Sequence, residues 1–315
     1  MQQEIEAETA TAPQRRRSRA LVIYNPTAGR RRLRRLRRVL QALRERDVDI
    51  DLRATAARGD AERLAGEAAG FDLLAVAGGD GTINEAVNGV VAAMAAGRAM
   101  PPLGVVPLGT ANVLAREIGL AGDPQAIAAT LVGRAELACR PGRIRQGERV
   151  RHFVMMAGIG FDADVVSRVD LRWKRLLGRA AYGLASAGRF LAYRPHLFRL
   201  AIDGAPFQAA SVVVSRGRHY AGPFVAAPAA DLGGDLLHIC LFERPGRLAV
   251  IRYGAALLAN RLPSQPFYRV VAGRQVEIRG DQSQKVQADG DIVAALPLVL
   301  DVAEQAIRLK VPRDR

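Results

Sequence analysis

The sequence predicts an α/β layer with a largely parallel sheet, followed by an antiparallel β domain that carries some helix. Three observations predict it. Between residues 20 and 132, short apolar runs alternate with stretches of helical periodicity. Three of those runs end in turns rich in Gly, Thr, Asn and Pro, at 25–29, 78–82 and 107–110; in open parallel sheets, ligands bind outside the carboxyl ends of the strands. After about residue 140 the rhythm changes to short strand-like runs divided by Gly, Pro and Asp. At 315 residues and 49% hydrophobic, the chain is long enough for two domains around a sizeable core.

Residues 1–18 read as a disordered tail, with Pro13 and an arginine cluster. A first strand at 20–24 runs into the turn Asn25, Pro26, Thr27, Ala28, Gly29. The basic stretch Arg30–Arg46 follows as a helix, with Leu33, Leu36, Leu40 and Leu43 at helical spacing and most arginines on the other face. A strand at 48–53, a helix at 60–69 and a buried strand at 72–77 come next. Thr82 with Glu85 three positions on reads as a capping box, which starts a helix at 82 that runs to about 96. A strand at 103–107 and helices at 111–118 and 124–132 complete the layer. Beyond it, strands are expected at 152–157, 197–203, 208–215, 236–242 and 275–279, and helices at 174–192 and 246–260. The division is 19–139 for the α/β domain and 140–295 for the β-rich domain, with 296–311 read as closing strands that return to the first domain.

The richest segment is Gly78-Gly79-Asp80-Gly81-Thr82-Ile83-Asn84-Glu85. A strand, a Gly-rich loop and a helix start in succession suit a phosphate, because exposed amides attract the anion and glycine lets the backbone approach it. Asp80 cannot favour a bare phosphate by charge, and suits a metal, a water network or a ribose hydroxyl. A phosphate-bearing ligand with a divalent cation reconciles the two. The formal charge of +15, from 46 basic and 31 acidic residues, favours an anionic partner. With 5% aromatic residues and no recognised module, nucleic acid ranks low. Cys139 and Cys240 show no metal-ligand spacing and read as buried thiols in a reducing compartment. The N-terminal stretch lacks the apolar core of a secretory signal, and no apolar run reaches the ~18 residues of a membrane span. A cytoplasmic protein, peripheral on the inner membrane face, is the expectation. Arg30–Arg46 is the candidate membrane contact, and Trp173 among Arg172, Lys174 and Arg175 is a second.

Five motifs in order carry a resemblance. They are Asn25–Gly29, Gly78–Glu85, Pro107-Leu108-Gly109-Thr110-Ala111-Asn112, Ala157–Ala163 and Asp289-Gly290-Asp291. Their order and spacing resemble the diacylglycerol kinase catalytic-domain family in its soluble bacterial lipid kinase branch, related to sphingosine and ceramide kinases. The resemblance spans about residues 19–311. It implies a nucleotide-binding α/β domain, a β-sandwich-like second domain and, in the cleft between them, transfer of phosphate from ATP to a lipid hydroxyl with Mg2+. It further implies that Asn25, Pro26, Thr27, Ala28, Gly29, Thr55, Gly79, Asp80, Gly81, Thr82, Ile83, Asn84, Glu85 and Thr110 line the nucleotide site. Asp291 matches the proton acceptor, where the family usually has glutamate, and Asp289 is its rival. Asp289-Gly290 also reads as an ordinary hairpin turn. A structural magnesium loop of the family matches Ala230–Leu236; here Gly234 stands at the side-chain ligand position, leaving Asp231, Asp235 and the Leu236 carbonyl as ligands. Two rival functions stand beside the lipid kinase: an NAD kinase, which also uses Gly-Gly-Asp-Gly, and a non-catalytic nucleotide or lipid sensor.

Overall fold

Apolar runs that end in glycine become the centre of a six-stranded sheet. The computed structural model describes residues 17–120, 122–160 and 196–313. Its first half contains β1 (Ser18–Tyr24), α1 (Arg30–Arg44), β2 (Val48–Ala54), α2 (Asp60–Gly66), β3 (Leu73–Gly78), α3 (Asp80–Ala95), β4 (Leu103–Pro107), α4 (Val113–Glu117), α5 (Pro124–Val132) and β5 (Glu136–Cys139). The second half contains β6 (Gly142–Gln146), β7 (Arg149–Phe153), β8 (Met156–Ile159), β9 (Phe198–Ile202), β10 (Ala205–Ala209), β11 (Ser211–Ser215), the short pair β12 (His219–Tyr220) and β13 (Phe224–Val225), β14 (Leu237–Phe242) and α6 (Arg247–Leu258). It closes with β15 (Tyr268–Gly273), β16 (Gln275–Arg279), β17 (Lys285–Ala288), β18 (Asp291–Ala295), β19 (Leu298–Val302) and β20 (Ile307–Lys310).

The first sheet has the order β2-β1-β3-β4-β20-β5. All its pairings are parallel except β20 with β5. Strands β3 and β4 are buried at every residue, as expected where helices cover both faces. The helix α1 buries Leu36, Val39, Leu40 and Leu43 against this sheet. Each such side chain contributes roughly 1.5–3 kcal/mol when removed from water. The second sheet (β10-β9-β16-β19-β6-β7) and the third (β15-β14-β11-β8-β17-β18) are antiparallel. Their inner faces share one core that includes Phe153, Ile159, Leu200, Val212, Ile239 and Leu300, the arrangement of a β-sandwich. A further core joins the domains, with Ile83 and Leu114 in the same cluster as Met155, Val213 and Leu232.

Several sequence expectations need correction. The helix at the Gly-rich loop starts at Asp80, with Gly79 as N-cap and no side-chain cap, so Thr82 and Glu85 form no capping box. Thr82 instead packs back on the loop: a methyl on Gly78 would lie 2.6 Å from its Cβ. The stretch 152–157 is broken between β7 and β8, and 208–215 is broken at Ala210, where the chain passes from the second sheet to the third. Of 296–311, only β20 enters the first sheet, whereas β19 pairs with β6 and β16 in the sandwich. Ser18, read as tail, is the first residue of β1. The tail proper, the helix expected at 174–192, Trp173 with its basic neighbours, and Phe161–Ala163 lie outside the described residues. Both cysteines are buried thiols.

Candidate active site

Three loops at the carboxyl edge of the first sheet are stitched together by main-chain bonds. The Asn25 amide donates to the Ala77 carbonyl (3.1 Å), the Thr55 amide to Tyr24 (2.9 Å) and the Leu108 amide to Gly78 (2.9 Å). Gly79 and Gly109 meet backbone to backbone: a methyl on Gly109 would lie 2.5 Å from the Gly79 Cα and 2.6 Å from Asn112 Oδ1. Asn112, at φ 47°, accepts the Gly109 amide at 2.7 Å and thereby closes the third loop. Asn25 closes the first, its Oδ1 accepting from the Thr27 amide at 2.9 Å and the Thr27 hydroxyl at 2.7 Å. Two arginines of α1 point inward: Arg32 donates to Thr110 Oγ1 at 3.2 Å and Arg35 to the Pro107 carbonyl at 3.3 Å. Part of the charge expected to face a membrane thus braces the site.

Asp80 has a structural duty that the sequence did not reveal. Its Oδ1 accepts the amides of Val113 (2.7 Å) and Leu114 (3.3 Å) and so caps α4. Burial pushes its carboxyl above the usual carboxylate range, and the amides of Leu114 and Val113 oppose that rise. The start of α3 itself has no side-chain cap, which leaves a helix N-terminus suited to a phosphate.

The second domain delivers its carboxylates on one tight turn. Ala288 pairs with Asp291 across β17 and β18, so Asp289 and Gly290 form a two-residue hairpin loop, with φ 46° and 90°. Positive φ at both positions is the signature of a type I′ turn, which favours Asp-Gly. The hairpin reading of Asp289-Gly290 is therefore borne out. Asp289 Oδ2 accepts from the Val154 amide (2.7 Å) and Asn84 Nδ2 (2.8 Å), and its Oδ1 from the amides of Met155 and Met156 (both 3.0 Å). Burial pushes this carboxyl up to about 6, and the four donors oppose the rise. A carboxylate so engaged clasps β7–β8 to α3; it is poorly placed to accept a substrate proton. Asn84 and Asn88 complete the clasp, both donating to the His152 carbonyl, at 2.9 and 3.1 Å.

Asp291, two residues on, is in a different situation. A methyl on Gly81 would lie 3.0 Å from its Oδ2, so the carboxylate rests on the first turn of α3. Its side chain is 36% exposed, and its one charged neighbour among the described residues is Arg58, at 3.6 Å. Arg58 was not anticipated: it sits in an ordinary-looking loop three residues after Thr55, and only the fold brings it across the domain boundary. Glu85, one turn after Gly81, shares the helix face beneath Asp291.

The structure thus brings Asn25–Gly29, Thr55, Gly79–Thr82, Thr110 and Asp291 to one junction of the two domains, whereas Ile83 is buried in the core between the domains and Asn84 is buried and bonded to Asp289 and the His152 carbonyl. Pro26–Ala28 form a 3-10 turn there. Thr55 is buried, its hydroxyl facing the Tyr24 carbonyl at a long 3.5 Å. The proposed metal loop lies elsewhere and its donors do not converge. Asp235 pairs with Arg274 at 2.8 Å, Asp231 is exposed and accepts the Gly233 amide at 3.1 Å, and the Leu236 carbonyl accepts from Arg216. Among the described residues, no group of three His, Cys, Asp or Glu side chains could hold a metal. An apolar cavity of about 130 Å³ opens between the outer face of the third sheet and α6, lined by Val213, Phe242, Val250, Tyr253, Leu257 and Leu262 among others. A larger recess of about 300 Å³ lies between the end of α3 and β20, lined by Met94, Met100 and Arg308 among others; no carboxylate and none of the three loops borders it.

Comparison with known proteins agrees with this geometry. Residues 19–144 match the diacylglycerol kinase catalytic domain, and residues 155–311 match the YegS C-terminal NAD kinase beta sandwich-like domain. A Bacillus subtilis protein named diacylglycerol kinase is 32% identical over 285 residues, covering 89% of this chain and 91% of its own. A Mycobacterium tuberculosis diacylglycerol kinase is 29% identical over 279 residues, covering 86% and 87%. A Pseudomonas aeruginosa relative, 29% identical with 93% of each chain covered, carries the name "Probable lipid kinase YegS-like". The crystal structure of a diacylglycerol kinase from Bacillus anthracis superposes with a TM-score of 0.73 over 94% of this chain and 98% of that one; at 22% identity it speaks for the fold. With an α/β layer whose loops meet a sandwich hairpin, and with both halves matched in order, the chain belongs to the diacylglycerol kinase catalytic-domain family of lipid kinases.

Proposed function

We propose that the protein transfers a phosphoryl group from ATP to a hydroxyl of a membrane lipid, diacylglycerol or a close relative. The observation that carries this reading is Asp291, an accessible carboxylate held over the uncapped start of α3 between two domains. Phosphoryl transfer asks mainly for positioning and charge neutralisation. The Gly79–Thr82 backbone is suited to the phosphates, and the tightly packed glycines fix its shape. Asp291 accepts the proton of the attacking hydroxyl as its oxygen bonds to phosphorus and the nucleotide diphosphate departs with the P–O electron pair. Arg58 neutralises charge at the same edge. Magnesium, when bound, neutralises charge on the transferred group. The carboxylates bordering the junction, Asp80 and Asp291, fit an ion that arrives on the nucleotide phosphates better than one caged by protein alone. The apolar cavity beneath α6 lies two strands from β17, roughly 10 Å at sheet spacing, and its apolar lining suits an acyl chain.

A second surface deserves weighing against α1 as the membrane contact. Leu248, Ile251 and Leu258 of α6 are 83%, 54% and 69% exposed. With Ala255 they form one stripe at helical spacing, flanked by Arg247 and Arg252, and α6 contains no acidic residue. Apolar side chains bordered by arginine complement an anionic bilayer. The helix α1 directs its leucines into the core and offers only charge.

The test is transfer from labelled ATP to diacylglycerol, ceramide, sphingosine, monoacylglycerol and NAD in mixed micelles with magnesium, with Asp291→Asn alongside. Labelled lipid that disappears in the variant supports the reading. Labelled NAD, or ATP binding without any transfer, overturns it in favour of a nucleotide kinase or a sensor.

A further inference from the structure

The loop between β13 and β14, expected to wrap a structural metal, is wrapped around an arginine. Arg216 directly follows β11 and is fully buried, with 0% exposure. Its Nε donates to the Arg140 carbonyl at 2.9 Å, and its Nη2 to the carbonyls of Leu232 (3.1 Å) and Gly234 (2.7 Å). Its Nη1 donates to the carbonyl of Leu236. Three of these four oxygens belong to the loop, and the Leu236 oxygen is one that a metal would need. The side chains that would complete a coordination sphere are engaged otherwise: Asp235 pairs with Arg274, and Asp231 folds back on the loop to accept the Gly233 amide.

We propose that the Arg216 guanidinium is the resident cation of this loop and takes the place of a divalent ion. A planar fork of five N–H donors suits carbonyls spread around its edge, whereas magnesium demands octahedral oxygens at about 2.0–2.1 Å. The two cannot share the space. The anchor also ties distant parts together. Arg140 belongs to the link from the first sheet to the second, and the residues after Arg216 reach the nucleotide domain. Arg218 Nε lies 3.2 Å from Glu117 Oε1, and His219 Nδ1 lies 2.5 Å from Glu117 Oε2, on the helix that Asp80 caps. Arg216 is thus a positioning residue for the domain junction, and this loop needs no divalent ion.

The test is thermal unfolding of the full chain without nucleotide or lipid, so its result is independent of the kinase reading. Wild type and Arg216→Ala are each measured in EDTA, Mg2+, Ca2+ and Mn2+. The wild-type midpoint is expected to be the same in all four. Arg216→Ala leaves four carbonyls facing an emptied space; its midpoint is expected to fall by about 10 °C and to recover in part when a divalent ion is added. A wild-type midpoint that drops in EDTA and returns saturably with Mg2+ or Ca2+ overturns the proposal. If Arg216→Ala does not fold, metal analysis of the dialysed wild type decides: about one divalent ion per chain refutes it, and none supports it.

Discussion

Two aspartates two residues apart should fail in opposite ways. Asp289 accepts four hydrogen bonds and reaches both domains, whereas Asp291 has one long ion pair with an exposed arginine. In Asp289→Ala, three main-chain amides and the Asn84 amide lose their acceptor. Hydrogen bonds to a charged group are worth about 1.5–3 kcal/mol each, but the four are coupled and some donors will find water. A loss of about 3–5 kcal/mol is the expectation, a large part of the roughly 5–15 kcal/mol that holds a domain together. The unfolding midpoint should fall on the order of 10 °C. Asp291→Asn keeps the shape and removes only the weak exposed pair, so its stability should stay within about 0.5 kcal/mol of wild type. Its phosphoryl transfer should drop by about 10²–10⁴-fold, the usual contribution of a general base. Urea unfolding and initial-rate assays on the same preparations measure both quantities. An Asp289→Ala protein as stable as wild type but inactive, beside an Asp291→Asn protein that still turns over, would falsify this division of labour.

Three further expectations follow from the geometry. Gly81→Ala places a methyl against the Asp291 carboxylate; it should hold or raise the unfolding midpoint, because alanine favours helix by about 1 kcal/mol, while lowering kcat at least about tenfold. An unchanged kcat would mean that the carboxylate works from another position. Gly89→Ala drives a methyl to 1.9 Å from the Glu62 carbonyl where α3 crosses α2, so it should cost about 3 kcal/mol or more of stability without selectively affecting KM for ATP; a neutral effect in urea would refute that crossing. Burial, reinforced by the charges of Arg143 and Arg151, lowers the His152 imidazole from 6.5 to about 4. The unfolded chain therefore takes up a proton that the folded chain refuses: the stabilisation is complete above pH 6.5 and is lost as pH falls toward 4, by at most about 3 kcal/mol. Urea midpoints at pH 7 and 4.5 should converge in His152→Gln relative to wild type, and parallel declines would contradict the assignment.

The parallel layer was legible because its strands are continuous apolar runs stopped by glycine, a pattern that needs no partner to interpret. The three loops were legible for the same reason. What escaped was whatever depends on pairing. Nothing in residues 208–215 marks the change of sheets at Ala210, because Gln208-Ala209 and Ser211–Ser215 read as one continuous strand-like run. Asp289 and Asp291 look equivalent until the register Ala288–Asp291 turns one into the domain joint and sends the other to Gly81. Arg58 and Arg216 were invisible in a chain with 46 basic residues, because a buried or bridging arginine carries no local mark. Thr82 with Glu85 looked like a cap, yet the close packing of Gly78 on Thr82 draws that side chain to the loop.

The shorter carboxylate at position 291 raises a question of reach, and the backbone around it answers. A glutamate there would extend about one methylene farther into the cleft. The Asn84–Asp289 bond holds the hairpin close to α3, and the other three bonds of Asp289 fix the hairpin to the β7–β8 segment of its own domain, two residues from Asp291. Glycine at 81 lets Asp291 rest on the helix without a Cβ between them. The reach of Asp291 therefore depends on how closely the joint holds its hairpin to α3. Loosening the clasp should therefore damage catalysis even where folding survives. An Asn84→Ala protein that stays folded should lose kcat more than affinity for ATP, because the three loops of the first domain are stitched to one another and only the arrival of Asp291 depends on the clasp.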